Sequence, residues 1–258
     1  MLKKLGQTRN QGEFMILRYI ILSLILVIGL TKTPAALGAL SIPTDLSDGE
    51  QQSILQILGF GTSFRPVDNP YPMGGYAGFE LGLAVESVPT EDIGYYGSKA
   101  AVDRDVVYPR VTVGKGIFDS VDLFFSFLPL SENEGVGIYS GALRWGFFQA
   151  TFVPAVFSVL FSATNTNVNT VFVSQTEGAD LVAGVNVDPF SFYVGAGYLY
   201  GQGQFDSSLT IDGTQTNQIS QTMHTMIGVN LAISEMFASL EIDTYTTTTA
   251  SLKIGARL

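Results

Sequence analysis

Val106–Leu128, with the sequence VVYPRVTVGKGIFDSVDLFFSFL, is the stretch that decides the predicted fold. In both halves apolar residues alternate with small or polar ones, which is the period of a β-strand with one apolar face. In the second half Val121, Leu123, Phe125 and Phe127 share that face. The stretch therefore predicts two strands folded back over a short turn at 117–119. Each is about ten residues long, the length that a tilted strand needs to cross a bilayer.

The rest of the chain repeats this unit, and ten strands are predicted: 74–87, 106–116, 119–129, 136–147, 152–163, 170–186, 190–204, 219–233, 236–247 and 249–258. The connections after the second, fourth, sixth and eighth strands are short. Most of the others are longer, at 88–105, 130–135, 164–169, 205–218 and 246–249. This alternation is typical of up-and-down barrels in the outer membrane, with turns in the periplasm and loops outside. An even strand number predicts that both ends lie in the periplasm; eight or twelve strands remain open.

The amino-acid composition indicates a β-protein in an apolar solvent more than a cytosolic enzyme. Only 14% of the residues are charged, whereas soluble proteins have about 25%. The chain has 28 glycines, 18 phenylalanines and no cysteine. Without cysteine, a lipid-anchored N-terminal cysteine, a disulfide framework and a thiolate site are all excluded.

Residues 1–38 have the pattern of a secretory signal peptide. Four basic residues precede an apolar run at 19–30, and the small triplet Ala36-Leu37-Gly38 follows. The apolar run is short for a transmembrane helix, and translation could begin at Met1 or Met15. Removing this segment leaves 8 Lys and Arg against 22 Asp and Glu, a balance of −14. So acidic a protein is not expected to bind nucleic acid.

Residues 39–72 are predicted to be a periplasmic segment with one short helix, followed by the barrel at 73–258. Ser47 and Glu50 are spaced as a capping box, and apolar residues follow on one helical face at 54–58. We expect this helix either to plug or brace the periplasmic mouth or to lie at the membrane edge. Residues 59–72 contain Pro66, Pro70 and Pro72 and are predicted to be a linker.

The two faces of the predicted strands indicate a membrane barrel more than a soluble one. A soluble barrel would show Lys and Glu on its outside, whereas here the polar face carries mainly Gly, Ser and Thr. Outward aromatic residues fall near both strand ends, as in the aromatic girdles of membrane barrels. They are Phe79, Trp145, Phe147, Phe190 and Phe192 at one end and Phe127, Tyr139, Phe161, Tyr198 and Tyr200 at the other.

The inner face carries the candidate functional residues. They are Glu80, Glu86, Arg110, Asp122, Arg144, His224, Glu241, Asp243, Lys253 and Arg257. A charge in such an interior must be paired or hydrated. These side chains therefore form either structural ion pairs or a selectivity constriction for ions and polar solutes. No nucleophile motif accompanies His224, so we predict no enzyme, and we predict no cofactor or metal.

As a whole, the chain resembles bacterial outer-membrane β-barrel proteins of the small porin-like class. The resemblance implies an outer-membrane location, contact with membrane lipid and lipopolysaccharide, and folding by the barrel-assembly machinery. The last strand ends in Leu258, where the assembly signal of this class usually has an aromatic residue. Two functions follow as expectations. One is a narrow pore or transporter for ions or small solutes; the other is a closed structural or surface-interaction barrel, ion-paired or plugged by residues 47–58, with an adhesion, receptor or envelope-stabilising role.

Overall fold

The computed structural model describes residues 42–98, 105–129, 135–150, 152 and 154–258, and all of them belong to one compact unit. The predicted signal peptide at 1–38 lies outside the described residues. The ten strands are β1 (Phe79–Pro89), β2 (Asp105–Phe118), β3 (Val121–Phe127), β4 (Val136–Gln149), β5 (Ala155–Val168), β6 (Phe172–Val187), β7 (Phe190–Phe205), β8 (Thr216–Ile233), β9 (Met236–Thr244) and β10 (Thr248–Arg257).

The strands form a closed antiparallel barrel in which every strand pairs with its sequence neighbours and β1 pairs with β10. The predicted fold and the number of strands are confirmed. We call the end with the connections 119–120, 150–154, 188–189 and 234–235 the turn end. The opposite end, with 90–104, 128–135, 169–171, 206–215 and 245–247, is the loop end.

One loop predicted at 164–169 is in fact strand. Thr164 and Thr166 are buried and face inward, and β5 continues to Val168 before a tight turn at Asn169 and Thr170, whose φ angles are 51° and 60°. The polar sequence misled the prediction because β5 to β8 are long, and their loop-end parts carry Asn, Gln and Thr on the outside instead of apolar residues.

The barrel wall has an apolar outside and a polar inside. Large side chains such as Trp145, Phe161 and Phe192 are about half exposed, whereas the inward residues of the same strands are almost all buried. Alternate residues therefore face lipid and lumen, as membrane barrels require.

The N-terminal segment fills the lumen. Helix α1 (Asp48–Ile54) continues into a π-helical segment (Leu55–Phe60), and residues 61–72 then cross the lumen towards the turn end, where β1 begins. We call residues 48–72 the plug. Within the described ranges, no helix is long and apolar enough to cross a membrane.

The predicted helix and its capping box are present, but the helix does not lie at the turn end, which the prediction assigned to the periplasm. The helix lies near the loop end, in one hydrophobic cluster with wall residues such as Val88, Ile138 and Phe172. The reason is the distribution of inward residues. At the loop end many of them are apolar and cover the apolar helical face, whereas towards the turn end several are charged.

The two ends of the described chain consequently lie at opposite ends of the barrel. Leu258 and Phe79 exchange backbone hydrogen bonds of 2.8 and 2.9 Å at the turn end. Leu46 donates its backbone N–H to Leu209 O at 2.8 Å at the loop end. β1 begins and β10 ends at the same end of the barrel, as an even strand number predicts, whereas residues 42–47 lie at the loop end because the plug adds one more crossing inside the barrel.

Candidate functional site: the plugged lumen

All ten candidate residues face the lumen, and the structure brings them together around the plug. Nine of them are at most 4% exposed, and only the Arg257 side chain reaches 22%. They divide into a cluster nearer the turn end and a cluster nearer the loop end. Each cluster contains a plug residue of charge opposite to the excess on the wall.

The turn-end cluster is built on Asp68 of the plug. Its carboxylate pairs with Arg144 at 3.3 Å and with Arg257. Arg257 also donates to Glu80 at 2.6 Å, and Lys253 Nζ donates to the other Glu80 oxygen at 2.6 Å. Because β1 supplies Glu80 and β10 supplies both cations, these pairs also close the seam of the barrel.

Further bonds in this cluster hold the plug backbone. Lys253 Nζ donates to Pro66 O at 2.8 Å, and Arg144 donates to Asn69 O at 2.6 Å. Arg144 also donates to Asp122 at 2.8 Å, and Asp122 accepts from the Met73 backbone N–H at 3.1 Å. The charged side chains of the wall therefore hold the plug in place through these hydrogen bonds and ion pairs.

The loop-end cluster is built on Arg65 of the plug. Its guanidinium donates to Asp243 Oδ2 at 3.0 Å and to Glu86 Oε2 at 3.3 Å. Arg110 of the wall donates to the carbonyl oxygens of Thr62 and Ser63 at 2.8 and 3.2 Å. Arg65 is thus the one plug cation between two buried carboxylates.

His224 lies between two carboxylates. Nε2 is 2.6 Å from Asp180 Oδ1, and Nδ1 is 3.0 Å from Asp243 Oδ1. Ionised carboxylates only accept hydrogen bonds, so an imidazolium that donates from both ring nitrogens satisfies this arrangement. Both ring nitrogens are thus engaged, and His224 of β8 links Asp180 of β6 to Asp243 of β9.

Three members of this site were not among the residues predicted from the sequence: Arg65, Asp68 and Asp180. Asp180 was accessible from the sequence, because it shares the inward face of β6 with Thr176 and Val182. Arg65 and Asp68 lie in the proline-rich stretch that was predicted to be a linker. Their only sequence signal is that two opposite charges stand in a segment otherwise poor in charge.

Plug and wall are complementary in charge. Near the turn end the wall has two carboxylates, Glu80 and Asp122, against three cations, and Asp68 supplies the missing negative charge. Near the loop end four wall carboxylates face Arg110 and His224, and Arg65 adds a positive charge. A buried charge without a partner is very costly, so this wall fits an occupied lumen better than an empty one.

A closed barrel with lipid-compatible side chains outside and paired charges inside satisfies every requirement of a membrane-spanning sheet. It is a small outer-membrane β-barrel. Among the described ranges, no group of three or more His, Cys, Asp or Glu side chains is arranged to hold a metal ion.

No protein-family model matches the sequence, and no curated protein matches it either. Among solved structures, the barrel is similar to the N-terminal β-barrel domain of Pseudomonas aeruginosa OprF (13% identity, 72% of this chain, 99% of that chain, TM-score 0.35). It is also similar to Ail, the attachment invasion locus protein of Yersinia pestis (11% identity, 70% of this chain, 97% of that chain, TM-score 0.30). A third similar structure is that of the Acinetobacter baumannii outer membrane protein Omp33 (7% identity, 70% of this chain, 97% of that chain, TM-score 0.31). At these values the likeness is distant and concerns the barrel alone.

Glycines of this outer-membrane barrel make room for the helix of the plug. A Cβ on Gly201 of β7 would lie 2.8 Å from the ring of Phe60, which is fully buried. We expect Gly201→Ala to lower the free energy of unfolding by about 1–3 kcal/mol through overpacking. A Cβ on Gly49 of α1 meets no atom within 4 Å, so Gly49→Ala should stabilise the protein by about 0.5–1 kcal/mol. Urea unfolding in detergent measures both; equal effects would contradict the close helix–wall contact.

Glu50 ties the helix start to the first long loop. Its carboxylate accepts from Ser47 Oγ at 2.6 Å, Ser47 N at 2.8 Å and Gly97 N at 2.9 Å. The Ser47 hydroxyl bond, and then the two backbone bonds, lower the pKa of Glu50 below its usual value of 4.5. A lowered pKa means that this stabilisation is present above the usual value and is lost as the pH falls through the lowered one.

We therefore expect the helix start to loosen only in acid. The chain has no cysteine, so an environment-sensitive dye on a Gln52→Cys variant reports on this site alone. Its emission should be constant between about pH 8 and 5 and change below about 4.5. A further Glu50→Gln substitution should remove that transition. The same transition in both variants would assign it to another group.

Proposed function

We propose that this outer-membrane barrel is closed to ions and solutes at rest and acts through the surface at its loop end. Of the two functions predicted from the sequence, the geometry favours the closed structural or surface-interaction barrel over the narrow pore. The protein would then display a rigid surface outside the membrane, in an adhesion, receptor or envelope-stabilising role.

The observation that carries this proposal is the occupied lumen. The wall charges that would select ions in a pore are bonded instead to Arg65, Asp68 and the carbonyl oxygens of the plug. Nine of the ten candidates are shielded from water. A selectivity constriction needs charges that permeating ions can reach, and these charges are not reachable.

The described residues of the loop end support the second half of the proposal, because several of them pack together over the helix of the plug. Ile42, Leu46, Ile93 and Leu209 are buried in one cluster with the helix of the plug. Ser98 donates its backbone N–H to Thr44 O at 2.8 Å, which joins the N-terminal residues to the loop after β1. Loops held in this way form a fixed recognition surface better than a channel entrance.

Planar-bilayer recording of the refolded chain 39–258 tests the proposal. We expect insertion without conductance steps, with insertion itself checked by heat-modifiable migration on gels. Reproducible small steps would favour the narrow pore instead. In that case Arg110→Ala and Arg144→Ala should alter ion selectivity, because both side chains would line the route.

A further inference from the structure

The buried charges of the closed lumen do not balance. The described lumen contains seven carboxylates: Asp68, Glu80, Glu86, Asp122, Asp180, Glu241 and Asp243. It contains five Lys and Arg side chains: Arg65, Arg110, Arg144, Lys253 and Arg257. With the imidazolium of His224, one negative charge is left without a partner.

The unpaired charge lies at Glu241 of β9. Every other carboxylate in the lumen is within 3.3 Å of an arginine, lysine or His224 nitrogen. Glu241 Oε2 accepts only the Tyr193 hydroxyl, at 2.8 Å. Its Oε1 is buried and has no hydrogen-bond partner. A neutral hydroxyl does not compensate a buried carboxylate, so Glu241 needs either a cation beside Oε1 or a proton.

Two further unpartnered oxygens lie on the same row of the barrel wall. Ser251 of β10 is paired in register with Glu241 on one side and with Glu86 of β1 on the other. Ser251 Oγ and Glu86 Oε1 are both buried without a partner. Glu241, Ser251 and Glu86 are therefore consecutive neighbours on the inner face of three adjacent strands, where directly opposite residues have Cβ atoms about 4.5–5.5 Å apart. Glu86 uses only its other oxygen, Oε2, for Arg65 and Tyr108.

We propose that this row is a binding site for one monovalent alkali cation, of the size of sodium, held by Glu241 Oε1, Ser251 Oγ and Glu86 Oε1. Oxygen-only ligands suit hard cations. A single positive charge completes the balance, whereas a divalent ion would leave a buried positive charge. A water molecule would satisfy the oxygens but leave the charge uncompensated. The site sits beside the salt bridge of Arg65 and therefore strengthens the seam between β9, β10 and β1.

The site rests on the closed lumen of the proposed function, so its test is made on the complete plugged chain. The protein is refolded at pH 8 in a series of sodium chloride concentrations, with N-methylglucamine chloride keeping the ionic strength constant. A ligand that binds only the folded state raises stability with the logarithm of its concentration. We expect the thermal midpoint to rise by roughly 3–6 °C for each tenfold increase in sodium above the dissociation constant.

Glu241→Gln is the decisive variant, because it keeps the shape and removes the charge. It should fold and lose the dependence on sodium. Glu177→Gln is the matched control, since Glu177 is exposed on the outer face of β6; it should keep the wild-type dependence. If the thermal midpoint of the wild type does not change with the sodium concentration, the proposed cation site is wrong. If that midpoint instead falls as the pH rises from 6 to 9, a proton on Glu241 supplies the missing charge.

A sodium dependence shared by wild type and Glu241→Gln would also overturn the proposal, because it would be a general effect of the salt. The conductance of the same preparations separates this result from the proposed function. If the barrel does not conduct and its thermal midpoint does not depend on sodium, only the proposed cation site is contradicted. A wild-type barrel that conducts removes the closed lumen itself.

Discussion

Replacing Arg65 with methionine is expected to lower the free energy of unfolding by about 3–5 kcal/mol, the cost of removing one partner from a buried ion pair. Arg65 is 3% exposed and is the plug cation that faces both Glu86 and Asp243. Methionine fills similar space, so the loss of the charge, not a cavity, dominates the effect. Urea unfolding in detergent, followed by circular dichroism, measures the difference.

Two control variants make this prediction specific. Arg65→Lys keeps the charge but loses part of the hydrogen bonding to Phe60 O and Gly61 O, so it should cost less than Arg65→Met. Lys115→Met removes a cation on the outward side of β2 that donates to Tyr76 O and Gly78 O but pairs with no buried carboxylate, so it should cost about 1 kcal/mol, less than Arg65→Met. If Arg65→Met were as mild as Lys115→Met, Arg65 would not lie between the two carboxylates in solution.

Removing the whole plug is expected to turn a closed barrel into a conducting one. A chain that begins at Met73 keeps all ten strands and leaves six wall carboxylates against Arg110, Arg144, Lys253 and Arg257. A ten-stranded lumen is wider than the filled eight-stranded kind. We expect conductance steps with a weak preference for cations in planar bilayers, at a lower thermal stability than that of the plugged chain.

A shorter deletion serves as the control. A plug of residues 47–58 was one of the alternatives predicted from the sequence for a closed barrel. In the structure, residues 59–72 still cross the lumen and keep the contacts of Arg65 and Asp68. The barrel without 47–58 should therefore stay shut near the turn end. Conductance of equal size in both deletions would show that the helix alone closes the lumen.

Most of the barrel wall was predictable from the sequence, because the period of two reports directly on lipid and lumen. β7 was predicted at 190–204 and spans Phe190–Phe205, since its outer face is apolar over most of its length. β1 was predicted to begin at 74 but begins at Phe79, because Gly74 and Gly75 have positive φ angles of 82° and 86° and form a turn. Glycine has no side chain that could show which face it lies on, so the alternating pattern did not indicate where β1 begins.

The arrangement of the site was only partly predictable. The parity of each strand identified the ten wall residues one strand at a time. The position of the helix depends on an inner surface that exists only after strands far apart in the sequence close into the barrel, such as β1 with Val88 and β6 with Phe172. The role of Arg65 and Asp68 depends on partners that are distant in the sequence. Arg65 binds Glu86, 21 residues away, and Asp243, 178 residues away, and Asp68 binds Arg257, 189 residues away. No local pattern carries that information.

A disulfide between plug and wall tests the central claim most directly. Thr62 Oγ1 of the plug lies 2.6 Å from Thr166 Oγ1 on the inner face of β5, and both residues are buried. In a Thr62→Cys, Thr166→Cys variant, the two sulfur atoms replace these oxygens, and the native chain contributes no other cysteine. The account predicts a bond under mild oxidation in the membrane, seen by mass spectrometry, and none for Thr62→Cys with Asn167→Cys on the outer face. No bond in the first pair, or equal bonding in both pairs, would contradict a plug inside the barrel.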